Sequence, residues 1–370
     1  MKNSLATRRQ QRGISAAALA KAAGVTRQTI YAMEAGSYVP NTAVALRLAC
    51  ALELSVEDLF ALPDTAPATT LRREQALLLP GSGQLEAGQP VQLGRIGNRL
   101  LASAPSPVPW YIPASDAIAA GKPADSGKVN VEIHFDDPSF RNRILIAGCD
   151  PGISVLARHA QAAGAELVLA HRNSSQALDL LKENCVHIAG AHLRDEPSGE
   201  SNVPAIARLF PKNTVAIISF ALWEEGIVTA AGNPKSIRGI EDLARRDVAM
   251  VNREKGAGSR LLLDSRLERL NIDSKRVRGY ARTAPGHLAA AWQVRSGAAD
   301  CCIATGVAAR IYGLSFVPLV SERYDLAIRR QHLDLPGVQA LLDTLNRARF
   351  RRELESIGGY DMKPAGQRVI

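Results

Sequence analysis

A chain of 370 residues is too long for one domain of the usual size, about 150 residues, and 46% hydrophobic with 22% charged residues is the composition of a folded protein. No apolar run approaches the roughly 20 residues of a membrane-crossing helix, and MKNSLATRRQQRG at the amino terminus lacks the apolar stretch of a secretory signal. The five cysteines (Cys50, Cys149, Cys185, Cys301, Cys302) form no C-x-x-C pair, so neither a disulfide framework nor a zinc site is expected, and the setting reads as reducing and cytoplasmic.

The net charge of +9 is unevenly spread. Residues 1–47 carry Lys2, Arg8, Arg9, Arg12, Lys21, Arg27 and Arg47 against the single acid Glu34. Over 4–62, Leu5, Leu19, Val25, Ile30, Met33, Val44, Leu48, Leu52 and Leu59 recur at helical spacing, with breaks at Gly13, Gly24, Gly36 and Pro40. Residues 1–62 therefore read as a bundle of short helices, in which Ser15 and Thr26 are placed as N-caps.

From Pro63 to Lys128 the chain holds nine of its 20 prolines, and helix cannot persist there. Pro90–Ala102 (PVQLGRIGNRLLA) alternates apolar and polar residues about glycines, which predicts a two- or three-stranded piece. Residues 63–140 thus read as a Pro-rich linker with a small β-rich bridge. From Arg141 to Arg347, strand-like runs alternate with helical stretches, the pattern of an α/β domain with mostly parallel strands. The strands are expected at Ile144–Ala147, Leu167–Ala170, Val186–Ala189, Val215–Phe220, Val248–Val251 and Asp300–Ala304. Residues 348–370, with Arg349, Arg351 and Arg352, read as a basic terminal helix and tail, best explained as a solvated face.

In SAAALAKAAGVTRQTIYAMEAG (15–36) one helix ends at Gly24 and another opens at Thr26, the order of a helix-turn-helix. With its flanks to SVEDLF (55–60), this segment resembles the Cro/λ-repressor family. The resemblance implies a recognition helix that presents Thr26, Arg27, Gln28, Thr29 and Tyr31 to double-stranded DNA, with Arg8, Arg9 and Lys21 on phosphates. Arg suits guanine O6/N7 and Gln suits adenine N6/N7, whereas phosphate contacts position without reading sequence. The plainer alternative is a helical bundle for protein contacts.

Three loops at strand ends precede helices: GCDPG (148–152), NSS (173–175) and GAGSR (256–260). Ligands settle at the carboxyl ends of strands in open α/β sheets, and free N–H groups at helix starts attract anions. The segments RILIAGCDPGISVLA (143–157), HIAGAHLRDEPSGESN (187–202), AMVNREKGAGSRLLLD (249–264) and GLSFVPLVSERYDL (313–326) resemble the type II periplasmic-binding-protein fold, in particular its molybdate-binding-like domains fused to regulators. This resemblance implies two lobes joined by crossing segments near 221–230 and 305–325. Its ligand contacts would be Cys149, Asp150, Ser174, Ser175, His192, Gly258, Ser259, Arg260 and His287.

Arg260 is the expected charge partner of a small anionic ligand, with a cap on Asp264 as the rival reading. No cofactor and no metal are expected, since the histidines show no metal-ligand spacing. The expectation is a dimeric, ligand-sensing DNA-binding regulator that touches no membrane. A ligand-insensitive regulator with a vestigial cleft, or an enzyme on the same fold, would be the alternatives.

Overall fold

The structure is a computed structural model describing residues 2–61, 72–82, 85–104, 114–134, 143–195 and 198–370. Residues 63–70, Pro105, Pro107, Pro109 and Arg141, all assigned above to linkers or a boundary, lie outside the described residues. The chain divides into two compact units, Met1–Thr70 and Leu71–Ile370.

The first unit is helical: α1 (Leu5–Gln11), α2 (Ala16–Ala23), α3 (Arg27–Glu34), α4 (Thr42–Leu52) and α5 (Val56–Leu59). Short strands β1 (Lys2–Asn3) and β2 (Phe60–Ala61) pair antiparallel and join its ends. Leu5, Leu19, Ile30, Met33, Leu48 and Leu52 are fully buried in its core. The expected punctuation is present. Ser15 Oγ accepts from Ala18 N–H and Thr26 Oγ1 from Thr29 N–H, each meeting a free donor of a helix start. Gly24 takes φ +68°, a left-handed conformation that closes α2 and suits glycine.

The second unit opens with five strands, β3 (Arg72–Leu78), β4 (Pro90–Ile96), β5 (Arg99–Ser103), β6 (Ala117–Ala119) and β7 (Lys128–Ile133), which close into a barrel in the order β3-β5-β4-β6-β7. The small bridge expected from the sequence is thus a complete barrel. Alternation in β4 and β5 was visible because Val91, Leu93, Leu100 and Ala102 line its core. The partners β3, β6 and β7 are distant in sequence. The barrel is packed on the α/β layer rather than hung from a linker: Leu79, Ile96 and Leu101 share a core with Leu145, Val168 and Leu178. Arg143 clamps the joint, with ion pairs of 2.7 Å to Asp116 of the barrel and to Glu166.

The α/β domain follows as β8 (Ile144–Gly148), α6 (Ile153–Gln161), β9 (Leu167–His171), α7 (Ser174–Lys182), β10 (Ile188–Ala191), α8 (Val203–Leu209) and β11 (Val215–Thr229). It continues with β12 (Met250–Arg253), α9 (Gly258–Arg269), β13 (Thr283–Ala284), α10 (His287–Arg295), β14 (Cys301–Thr305), α11 (Gly306–Ile311) and β15 (Ser315–Arg329). The chain ends with α12 (Pro336–Leu345), α13 (Ala348–Ile357) and β16 (Tyr360–Asp361). The sheet order is β13-β12-β14-β11-β15-β10-β8-β9, with β16 added on β11. Parallel strands β8, β9 and β10 form one lobe and parallel strands β12, β13 and β14 the other. The antiparallel pair β11 and β15 runs through both.

Val215–Phe220, expected as a short strand, is the first part of a 15-residue strand that crosses between lobes. Its crossing partner occupies 315–329, displaced from the expected 305–325 because β14 and α11 fill 301–311. The terminal segment is not a separate tail. Phe350, Leu354, Met362 and Ala365 are buried in the core of the first lobe, whereas Arg347, Arg349 and Arg352 are exposed. The carboxyl-terminal residues belong to the α/β domain, whose edge therefore lies beyond 347.

Candidate functional site

In the helical unit, α3 exposes Arg27, Gln28 and Tyr31 while burying Ile30 and Met33, as a helix with one apolar stripe must. Arg27 donates from Nε and Nη2 to Tyr31 Oη at 3.1 and 3.0 Å, which holds both side chains on one surface. Thr26 and Thr29 bond each other at 2.8 Å. Lys21 is exposed, and Arg8 and Arg9 are both half-buried. Arg9 is engaged within the fold. It forms a two-pronged pair with Glu34 at 2.6 and 3.1 Å and also donates to the Ile14 carbonyl, bracing α1 against the end of α3. Three of its five guanidinium N–H donors are thus engaged within the fold, which gives Arg9 a structural role beside its expected place on phosphate.

In the α/β domain the strand-end loops converge where the lobes meet. Cys149 and Asp150 follow β8, and His192 follows β10, all on the first lobe. His287 opens α10 on the second lobe, and Glu225 lies on the crossing strand β11. Cys149 Sγ stands 3.5 Å from His192 Nε2 and 3.8 Å from His287 Nε2. On the far side of the rings, His192 Nδ1 and His287 Nδ1 face Glu225 oxygens at 3.7 and 3.9 Å. All four side chains are buried.

The walls explain this placement. Tyr324 of β15 lies across Gly148 and Gly190, where added Cβ atoms would sit 2.3 and 2.1 Å from its hydroxyl. Its oxygen accepts from Cys149 N–H at 3.2 Å. Trp223 and Tyr324 pack about the His192 ring at centroid distances of 4.9 and 6.0 Å. Asp150 accepts from Tyr360 Oη and from Gly152 N–H, each at 2.7 Å.

Burial sets the charge states. It pushes the Cys149 thiol up to about 12, Asp150 up to about 6 and Glu225 up to about 7, and it lowers His192 to about 3. His287 is likewise held well below the usual imidazole value, first by burial and then by Arg253. Near neutral pH, Cys149 and His192 are therefore a thiol beside a weakly basic imidazole.

The remaining expected contacts divide. Ser174 Oγ accepts from His192 N–H at 3.1 Å, and Ser259 Oγ donates to Glu225 Oε1, so both serines position other site residues. Ser175 meets the opposite lobe through its N–H and the Gly256 carbonyl at 3.4 Å, beside Asn173 Nδ2 donating to the Lys255 carbonyl at 3.2 Å. Gly258 lies against His192, with room for no side chain. Arg260 is not in the cluster as its main charge. It pairs with Asp264 at 3.0 Å and stacks 4.0 Å over Tyr280, whose hydroxyl also bonds Asp264. The rival reading of Arg260 as a cap on its own helix is the observed one, because its i+4 neighbour is already within reach.

The cationic residue of the site is Arg253, which sequence reasoning missed along with Glu225, Trp223, Tyr324 and Tyr360. Arg253 is 1% exposed and bonds Glu254 through Nε and Nη2, leaving Nη1 buried without a partner. A signal existed in the sequence. Trp223-Glu224-Glu225 interrupts an otherwise apolar run, and a charge in the middle of a buried strand requires a local reason.

Comparisons with known proteins agree with this architecture. Residues 157–346 match a family described as the PBP superfamily domain, and residues 5–59 match a helix-turn-helix family. The chain is 32% identical over 241 residues to the uncharacterized protein YvgK of Bacillus subtilis, spanning 65% of this chain and 77% of that one. It is 36% identical over 110 residues to an uncharacterized protein from the 5′ region of a 2Fe-2S ferredoxin gene of Clostridium pasteurianum, covering 30% of this chain and 97% of the relative. The uncharacterized HTH-type transcriptional regulator YgzD of Bacillus subtilis is 42% identical over 60 residues, 16% of this chain and 91% of its own.

Proposed function

Because the chain belongs to the PBP superfamily and carries a helix-turn-helix unit ahead of that domain, we propose that it is a one-component regulator. In this reading a small ligand held between the lobes changes the grip of the helix-turn-helix on duplex DNA. One observation carries it. Asp150 Oδ2, Arg253 Nη1 and Trp223 Nε1 are all buried without a hydrogen-bond partner, and they come from both lobes and a crossing strand. Each such atom costs about 1–3 kcal/mol. A site concentrating several is built to be completed by a ligand. The ligand is a small anion or carries one, and Arg253 rather than Arg260 is its charge partner.

The regulator works in the cytoplasm, where its DNA lies, and binds as a homodimer on two half-sites about 34 Å apart. Among the described residues, no helix is long and apolar enough to cross a membrane.

Selection of bound sequences from randomised duplexes, followed by footprinting, tests the DNA arm. Arg27→Ala and Gln28→Ala should relax base choice and cost roughly 1–3 kcal/mol, whereas Arg8→Ala should weaken all sequences alike. Unchanged preference in both helix variants would overturn the assignment. Mass spectrometry of what co-purifies, followed by titration of operator with and without it, tests the sensing arm. The expected coupling is about 1–3 kcal/mol in either direction of the linkage.

A further inference from the structure

We propose that Cys149, His192 and His287 form a site for a thiophilic transition-metal ion of the zinc, cobalt or copper class. The inference rests on reading the interlobe cluster as the sensor site. It names the ion that anchors the ligand there.

The geometry is specific. One thiol sulfur and two imidazole nitrogens lie within 4.8 Å of one another, all on buried residues. A tetrahedral ion with metal–sulfur and metal–nitrogen bonds of about 2.3 and 2.05 Å holds its sulfur and nitrogens about 3.6 Å apart. The observed separations are 3.5 and 3.8 Å. The nitrogens that face the sulfur are both Nε2, and the other nitrogen of each ring faces one carboxylate, Glu225, on the crossing strand. Metal-bound histidines characteristically give their second N–H to such a carboxylate, which fixes tautomer and ring direction. Glu225 is itself oriented by the Ser259 hydroxyl. The Ser174 hydroxyl fixes the backbone of His192.

The donor set selects the metal. Thiolate with imidazole suits zinc, cobalt(II) and copper, and it is a poor set for magnesium or calcium, which take oxygen ligands. On binding, the Cys149 S–H bond breaks, its proton leaves to solvent and a metal–sulfur bond forms; no oxidation state changes. Three protein donors leave one position open. An anion there is balanced by the buried guanidinium of Arg253, which unites the metal with the anionic ligand proposed above.

The ligands also come from different lobes, Cys149 and His192 from one and His287 from the other. An ion therefore ties the lobes in the closed arrangement and gives the sensor a two-state element to act on.

The full-length protein, stripped with a chelator, should be titrated with Co²⁺ alone and then with Zn²⁺ as competitor. A Cys50→Ser background removes the exposed thiol. One Co²⁺ per chain should bind, with a near-ultraviolet thiolate-to-cobalt charge-transfer band and the intense visible absorption of a tetrahedral ion. Cys149→Ser should abolish the charge-transfer band. His287→Ala should weaken binding at least tenfold, and Glu225→Gln by about 10- to 100-fold. Absence of the band, or a band surviving in Cys149→Ser, would overturn the proposal. Should Cys149→Ser fail to fold by circular dichroism, Co²⁺ affinity unchanged in folded His287→Ala would overturn it equally.

Operator binding separates this inference from the reading it rests on. Stoichiometric Co²⁺ that leaves operator affinity unchanged would overturn sensing through this site while upholding the metal site. An operator response to small anions in protein showing no cobalt band would overturn the metal site while upholding sensing.

Discussion

Gly258→Ala is expected to hold the lobes apart without unfolding either. A Cβ at this position would lie 2.3 Å from the His192 carbonyl oxygen and 2.6 Å from two atoms of its ring, whereas ordinary contact begins near 3.4 Å. The carbonyl belongs to the backbone after β10 and cannot swing aside, so the lobes must separate locally by about 1 Å. The bonds that span the lobes are already long: 3.2 Å from Asn173 Nδ2 to the Lys255 carbonyl and 3.4 Å from Ser175 N–H to the Gly256 carbonyl. They would be lost.

Overpacking of this kind costs about 1–3 kcal/mol, and here the cost falls on closure, because an alanine in the first turn of α9 is compatible with the helix itself. The closed-to-open ratio should fall about 5- to 150-fold. Hydrogen exchange reads this directly. Peptides covering 186–195 and 252–262 should lose protection by that factor, while β8 and β14 stay protected and the melting temperature changes little. Gly121→Ala, where an added Cβ meets nothing within 4 Å, serves as the control. Wild-type protection around His192 and Gly258 in the variant would refute the argument that this glycine permits closure.

Arg260→Ala should keep ligand and Co²⁺ affinity while lowering stability by about 1 kcal/mol, the worth of an i,i+4 pair with a stacked ring, and calorimetry of both properties distinguishes this from a ligand clamp. Arg9→Ala should lower the melting temperature of the helical unit through loss of a charged hydrogen-bonded pair of about 1–2 kcal/mol, and its effect on DNA binding should vanish where the unit is fully folded. A salt dependence of DNA affinity reduced in Arg9→Ala as much as in Arg8→Ala would place Arg9 on the phosphate surface. Phe350→Ala should cost about 3–5 kcal/mol in chemical denaturation, since this fully buried ring packs against Phe220 at 6.1 Å and belongs to the main core. A loss under 1 kcal/mol would mean the terminal helix is peripheral after all.

Local chemistry determined much of this protein from its sequence. The helix-turn-helix was legible because Ser15, Gly24 and Thr26 act on their own neighbours within three residues. The alternating strands of the lobes were legible because each carries a buried apolar run long enough to recognise. Cys149 and Gly258 were legible in strand-end loops before helices, where open sheets place their ligands, whereas His192 and His287 came only with the resemblance to the binding-protein fold. That these residues meet was decided only by tertiary structure. Cys149 and His287 are 138 residues apart, and no spacing rule joins side chains brought together by two crossing strands. Arg260 and Arg253 stand seven residues apart, and the sequence pointed to Arg260, which the structure pairs with Asp264, and not to Arg253, which it buries. A guanidinium is assigned by what lies within its reach. Asp264 at i+4 and the Tyr280 ring occupy Arg260 on its own helix, while the strand end of β12 carries Arg253 into the interior. The barrel was hidden for the same reason: β3, β6 and β7 become recognisable only when β4 and β5 stand beside them to bury their faces.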